Sequence, residues 1–124
     1  MNGIMTKMRS IITYKKWDIV LVPFLFTNLK STKKRPALII SPDKYNSGAD
    51  LVIMIITSNI SSFGRTGDYI IQNWKESGFP KPSMTRMKFA TIEKSIVIKK
   101  IGRLHKNDCT SLIQKLTDFL LSDL

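Results

Sequence analysis

The stretch Lys33-Lys-Arg-Pro-Ala-Leu-Ile-Ile-Ser41 places three cations and a proline directly before an apolar run. Pro36 fixes its own φ at about −65° and disfavours helical conformations at the preceding residue. The pattern therefore predicts a strand over residues 36–41, with Arg35 held at its entry. Two interpretations of Arg35 follow: it belongs to a solvated basic turn, or its planar guanidinium is held in advance to bind a phosphate.

Apolar stretches on both sides of this segment predict further strands. Residues 17–26 have the composition of a buried strand, with Pro23 near its end, and residues 51–56 form an unbroken apolar run typical of a central strand. Thr57 and Ser58 come where that run ends. Shorter strands are predicted over 68–72, 81–90 and 95–104, with 91–93 a continuation or a turn, and residues 73–78 read as one helical turn closed by glycine.

The last element is predicted to be a helix. Five apolar residues share one face at helical spacing, and Asn107 is the expected N-cap, with Asp108 complementing the helix dipole. The apolar residues of this face are Leu112, Ile113, Leu116, Phe119 and Leu120. Many short strands before one terminal helix predict a mainly β domain built as a small closed or half-closed barrel.

Size and composition narrow the class of protein. The chain has 124 residues and a formal charge of +11, and its basic residues are spread along the whole sequence. Such a field attracts polyanions, whether nucleic acid, an acidic membrane face or an acidic protein. We expect a single domain over residues 16–124, with residues 1–15 an extension of uncertain order.

The chain has too few cysteine and histidine residues for a disulfide or a zinc site. A single cysteine, Cys109, cannot form an intramolecular disulfide, and one cysteine with one histidine does not make a zinc site. We therefore expect no metal and no cofactor. The sequence also lacks an apolar run long enough for a signal peptide or a membrane span, which predicts a cytoplasmic protein.

Five short motifs stand in order along the chain. They are Asp18-Ile-Val-Leu-Val-Pro-Phe24, Lys34-Arg-Pro-Ala-Leu-Ile-Ile-Ser41, Ile56-Thr-Ser58, Lys81-Pro-Ser83 and Ile101-Gly-Arg-Leu104. In order and spacing they resemble the MazF/PemK family of type II toxin–antitoxin endoribonucleases, over roughly residues 16–121. The resemblance implies an SH3-like barrel that works as a homodimer and is inhibited by a cognate antitoxin. It also implies metal-independent cleavage of single-stranded mRNA at short sequence motifs, with 2′,3′-cyclic phosphate and 5′-OH ends, which stops translation and growth.

The resemblance assigns roles to particular residues. Arg35 matches the family arginine that faces the scissile phosphate, and Thr57 matches the threonine that shares its work. Ser83 matches a serine near the site, whereas Asp18 matches an aspartate that is structural. Two departures stand out: Trp17 replaces the family's glycine, so we expect a differently built entry to the first strand, and residues 28–33 lack the acidic residue of several relatives.

Basic residues near these motifs are candidates for contacts with RNA, although any one of them is also consistent with solvated surface. Trp17 and Trp74 are better explained by core or dimer packing than by base stacking, and Cys109 by inert packing. His105 is expected to cap the helix or face solvent. The candidate RNA-binding residues are Lys30, Lys33, Lys34, Arg65, Ser83, Arg86 and Lys88.

Two other functions remain open for this barrel. One is a toxin of the same fold that binds DNA gyrase, and the other is a non-catalytic nucleic-acid-binding barrel. Gyrase binding would not require Arg35 and Thr57 together, which favours the nuclease. The positive charge fits an antitoxin with a flexible acidic segment that folds along the basic groove as it binds.

Overall fold

The structure, a computed structural model, describes residues 12–23 and 33–124. It contains one six-stranded, curled, barrel-like sheet and a C-terminal helix, as predicted. The strands lie in the order β4-β5-β3-β2-β1-β6, and each neighbouring pair is antiparallel. The elements are β1 (Asp18–Pro23), β2 (Lys34–Ile39), α1 (Asp43–Asn46), β3 (Asp50–Thr57), β4 (Tyr69–Ile70), β5 (Met84–Glu93), β6 (Lys99–Arg103) and α2 (Lys106–Leu121).

The sheet buries apolar side chains on both faces, because alternate residues of each central strand point in opposite directions. One face of the sheet packs against α2 and the segment before β5. The other face packs beneath Tyr14, Ile96 and Val97. The first core contains Ile19, Leu38, Met54, Ile56, Ile71, Phe79, Leu104, Leu112 and Leu116, and the second contains Val20, Val22, Ala37, Ile39, Leu51, Ile53 and Ile92.

Two glycines let the segment after β4 pack tightly against β6. Residues 73–78 form a turn that ends at Gly78, whose φ is 97°; the Gly78 and Phe79 N–H groups donate to the carbonyls of Lys75 and Trp74. This is the hydrogen-bond pattern of a glycine-terminated helical turn. A Cβ on Gly102 would lie 2.0 Å from the Ser77 carbonyl oxygen, so only glycine fits at this point of β6.

The start of α2 differs from the prediction. The N-cap is His105, whose Nδ1 accepts a hydrogen bond from the Asn107 N–H at 3.1 Å, so the expectation of Asn107 as the N-cap was wrong. Asp108 is fully buried and accepts bonds from the N–H groups of Gln72 and Asn73. The Tyr69 hydroxyl also donates to Asp108, and burial together with this bond raises the pKa of Tyr69 to about 12.

Some predicted boundaries were also wrong. The sixth strand begins at Lys99 rather than residue 95, because Lys94–Ile96 form a 3-10 turn, while β5 does continue through residues 91–93. On α2 only Leu112 and Leu116 of the predicted apolar face are buried. The last three residues of the predicted strand 17–26 lie outside the described residues.

Trp17 shows how this sequence dispenses with a glycine before Asp18. Its φ of 77° lies in the left-handed region that favours glycine. Backbone bonds hold that conformation: Trp17 N–H donates to the Ile39 carbonyl at 2.7 Å, and the Trp17 carbonyl accepts from Leu104 N–H at 2.9 Å. The ring packs against the first core, as expected for Trp17 from the sequence. The entry to β1 thus has a backbone conformation suited to glycine, although tryptophan occupies the position.

We predict that Gly102→Ala destabilises the protein by about 1–3 kcal/mol, because the new Cβ must displace the Ser77 backbone. Gly48→Ala is the matched control, since a Cβ there meets its nearest neighbour at an ordinary 3.4 Å. Urea denaturation should separate the two variants. Equal stability of both variants would contradict the proposed close contact between β6 and the turn.

Candidate active site

Arg35 and Thr57 are brought together by the pairing of β2 with β3. The pairing aligns Ala37 with Ile55 and Leu38 with Met54, and the regular pairing ends at Ala37. Arg35 comes two residues before Ala37, and Thr57 comes two residues after Ile55. The two residues that the sequence singled out therefore lie at the same end of the paired strands, at one rim of the sheet, and both are half-buried.

Two clefts meet at this rim. The first, of about 440 Å³, is mainly apolar and has Lys81 and Ser83 on its wall, whereas the second, of about 320 Å³, is mainly basic. Arg35, Ile56, Thr57 and Asn59 line both clefts. The other lining residues are Leu21, Pro36, Ser58, Phe79, Pro80, Lys81, Ser83 and Ile101 in the first cleft, and Ile55, Arg65, Arg86 and Lys88 in the second.

The hydroxyl of Thr57 is oriented by the chain that follows it. Thr57 Oγ1 accepts a hydrogen bond from the Asn59 N–H at 3.1 Å. A hydroxyl that accepts a bond still has one proton to donate. Because Thr57 lines both clefts, that proton is available to a group bound at the rim.

An irregularity in β5 presents two basic side chains to the second cleft. Between the pairs Met54–Phe89 and Ile56–Thr85, β3 has one residue, Ile55, while β5 has three, residues 86–88. Bulges of this kind bend a strand and re-aim its side chains. Arg86 and Lys88 both line the second cleft, in agreement with their predicted position on one face.

Asp68 holds Arg86 and the preceding loop. Its buried carboxylate accepts bonds from Arg86 Nε at 3.0 Å and Arg86 Nη2 at 2.9 Å, and from the Gly64 and Arg65 N–H groups. Arg86 Nη2 also donates to the Ser62 carbonyl at 2.9 Å. The bond from Arg86 holds the pKa of Asp68 below its usual value against the opposing effect of burial, and Asp68 in turn raises the pKa of Arg86.

The other predicted residues are distributed as follows. Lys33 and Lys34 lie exposed at the start of β2 and line neither cleft, and Lys30 lies outside the described residues. Ser83 lines the first cleft but is buried, and its hydroxyl donates to the Lys81 carbonyl at 3.1 Å. Trp74 and Cys109 pack against the first core.

Sequence reasoning overlooked Asn59 and the role of Asp68. Asn59 could have been noticed as a polar residue just beyond a buried strand, two positions after Thr57. Asp68 had no comparable signal, since its partner Arg86 is 18 residues away in the sequence. Asp18, expected to be structural, is buried and paired with Lys100 and Arg103, away from both clefts.

Comparison with known proteins identifies the family. A family model described as PemK-like, MazF-like toxin of type II toxin–antitoxin systems matches residues 15–120. The chain belongs to this family. Compared with curated individual proteins, the chain has no significant match.

Solved structures share the fold of this member of the PemK/MazF-like family at low sequence identity. An endoribonuclease in complex with its cognate antitoxin, from a mycobacterial species, is 13% identical with a TM-score of 0.68, over 89% of this chain and 95% of that one. The Mycobacterium tuberculosis toxin MazF-mt6 is 17% identical, with a TM-score of 0.67 over 86% and 99% of the two chains. MazF in a MazE–MazF structure from Deinococcus radiodurans is 16% identical, with a TM-score of 0.67 over 87% and 96%.

Two further observations concern the described parts of the chain. Residues 12–23 and 33–124 contain no group of three or more His, Cys, Asp or Glu side chains that could bind a metal ion. Neither helix of these segments is both long and apolar enough to cross a membrane.

We predict that Asp68→Asn lowers the free energy of unfolding by about 3 kcal/mol at neutral pH, because it leaves Arg86 without its carboxylate. The depressed pKa of Asp68 stabilises the folded state above the unfolded value, 3.8, and this contribution disappears as the pH falls through the folded value. The difference between wild type and variant should therefore be constant from pH 7 to 5 and shrink below about pH 4.

Denaturation of both proteins at pH 7, 5 and 3 tests this dependence. Glu76→Gln removes an exposed carboxylate and serves as the control, which should differ little from wild type at each pH. A difference between wild type and Asp68→Asn that stays the same at pH 3 would rule out the ionised pair as its source.

Proposed function

We propose that this protein is the toxin of a type II toxin–antitoxin system and a metal-independent endoribonuclease. It cleaves single-stranded RNA at short sequence motifs, leaves 2′,3′-cyclic phosphate and 5′-OH ends, and so inhibits translation. The observation that supports the proposal is that Arg35 and Thr57 line the same two clefts, at the rim where these clefts meet. Membership of the PemK/MazF-like family supports it.

The chemistry needs little from the protein, because RNA carries its own nucleophile. The 2′-oxygen forms a bond to phosphorus and loses its proton, the bond from phosphorus to the 5′-oxygen breaks, and the leaving oxygen gains a proton. Arg35 binds the non-bridging oxygens through two parallel N–H groups and stabilises the charge that develops on the phosphate. Thr57, oriented by the Asn59 N–H, donates its hydroxyl proton to the same phosphate.

The second, mainly basic cleft can bind the part of the RNA that continues beyond the reacting phosphate. Arg65, Arg86 and Lys88 line this cleft next to Arg35, and Lys81 stands on the wall of the other cleft. Arg86 is half-buried and paired with Asp68, and Arg65 and Lys88 are exposed. Phosphates bound along such a groove supply affinity without sequence preference. Lys30, Lys33 and Lys34 remain proposed RNA contacts.

The partners follow from the same proposal. A cognate antitoxin with a flexible acidic segment would lie along the basic cleft and cover Arg35. A homodimer would give cover to apolar side chains left exposed on α2, such as Leu120, which is 70% exposed. We place the protein in the cytoplasm, where its mRNA substrate is found.

We predict that Arg35→Ala lowers the rate of RNA cleavage by roughly 10²–10³-fold, because it removes the principal donors to the phosphate. Arg35→Lys should be intermediate, since it keeps the charge but loses the two parallel bonds. The measurement is cleavage of a long single-stranded RNA by purified protein in EDTA, with analysis of the end groups. Discrete cuts with cyclic phosphate ends are expected from the wild type.

Lys44→Ala is the control for the loss of one positive charge, because Lys44 is exposed on α1 and lines neither cleft. It should cleave at nearly the wild-type rate. A folded wild-type protein that cleaves no RNA would overturn the proposal. Inhibition of gyrase supercoiling would then favour the gyrase-binding alternative, and RNA binding alone would favour the non-catalytic barrel.

We predict that Thr57→Val reduces cleavage by about 10²-fold, as expected for the loss of one preorganised donor. Thr57→Ser keeps the hydroxyl and should recover most of the activity. Both variants preserve the size or the polarity of a half-buried strand end, so both should fold, which thermal unfolding would confirm. Equal activity of the valine and serine variants would remove Thr57 from the mechanism.

A further inference from the structure

Asn59 lies at the junction of the two clefts, and the mechanism above uses its backbone N–H but not its side chain. It is one of four residues that line both clefts; the others are Arg35, Ile56 and Thr57. Its side chain is exposed, so its polar atoms can reach a bound molecule. Ile56 also lines both clefts, so the position does not by itself indicate a role. Asn59 differs in the hydrogen bonds that its backbone and side chain make.

The backbone of Asn59 is fixed on both sides. Its N–H donates to Thr57 Oγ1 at 3.1 Å, and its carbonyl accepts from the Ser62 hydroxyl at 2.8 Å and the Ser62 N–H at 3.1 Å. Asn59 also begins the 3-10 turn Ile60–Ser62. The residue is therefore held directly after the rigid end of β3 rather than at the tip of a loop.

The side-chain amide is fixed through its oxygen. Asn59 Oδ1 accepts a hydrogen bond from the Ser61 hydroxyl at 2.6 Å. An amide whose oxygen is engaged keeps two N–H donors on its nitrogen. Within residues 12–23 and 33–124, no acceptor bonds to this nitrogen. Ser61 thus orients two donors at the point where both clefts open.

We propose that Asn59 is an RNA-binding residue that donates its amide N–H groups to the strand where it crosses from one cleft to the other. The inference rests on the proposed function, because it requires RNA to occupy both clefts. The acceptor is an oxygen or nitrogen of the nucleotide next to the phosphate held by Arg35 and Thr57. The contact binds the RNA equally before and during the reaction, so it contributes to affinity rather than to the chemical step.

The test compares Asn59→Ala with wild type in two measurements. In the first, binding of a non-cleavable 2′-O-methyl RNA should weaken by roughly tenfold, the loss expected for one or two bonds to a substrate. In the second, cleavage should show KM raised by a similar factor with kcat unchanged. Ser61→Ala, which releases Oδ1, should give a smaller loss of the same kind.

Asn107→Ala is the matched control, since Asn107 is an exposed asparagine whose side chain lies away from both clefts. It should bind RNA as wild type does, and all three variants should unfold at the wild-type temperature. Unchanged binding and KM in a folded Asn59→Ala protein would overturn the inference. Because binding uses RNA that cannot be cleaved, the result is decisive even if the wild type proves not to be a nuclease.

The same experiment identifies the acceptor. If the loss is equal for 2′-O-methyl oligomers of adenine, uracil and cytosine, the amide donates to the backbone. If it is confined to one base, the amide reads a base edge and Asn59 contributes to the choice of cleavage site. Either result supports a contact between Asn59 and the RNA.

Discussion

The register between β2 and β3 is the constraint on which the candidate site depends. A slip of one residue would turn Ala37 and Ile39 out of the second core and rotate Arg35 away from Thr57 at the same time. Burial of the apolar residues therefore fixes the position of the charged one. Pro36 lies between the buried part of β2 and Arg35, and its lack of an N–H suits the place where β2 leaves the regular pairing with β3. The buried core residues thereby position the guanidinium of Arg35, although they do not contact the substrate themselves.

Contacts away from the sheet rim build the walls of the two clefts. The wall of the apolar cleft depends on the close approach of Gly102 to Ser77, since Phe79 and Pro80 follow that turn directly. The wall of the basic cleft depends on Asp68, which ties the loop before β4 to Arg86 on β5. The wall of the first cleft depends on close packing, and the wall of the second depends on an ion pair. We therefore expect acid to weaken the second wall, and a larger side chain at position 102 to disturb the first.

The sequence predicted the strands and the terminal helix, and it put Arg35 and Thr57 near strand ends, because apolar runs and their ends are local features. It failed where distant residues decide the outcome. The register shift of β5 at residues 86–88 and the bonds of Asp68 involve partners far along the chain. His105 is the N-cap, one of the two roles that the sequence predicted for it, whereas Asn107 supplies the N–H that the imidazole accepts. Trp17 adopts a left-handed φ because its two backbone bonds, to Ile39 and Leu104, outweigh its own preference.

The candidate site has a rigid part on the strand ends and a less regular part in the loop and in β5. Arg35 and Thr57 lie on strand ends supported by the core, where a reacting phosphate needs donors that do not move. Arg65 lies in the loop of residues 63–68, and Lys88 in the irregular part of β5; these segments need only follow the strand of a polyanion. Asn59 stands between the two groups, fixed by Thr57 and Ser62 yet exposed to both clefts. Under the proposed function, substitutions in the basic segments therefore change the affinity for RNA, while Arg35 and Thr57 keep their positions.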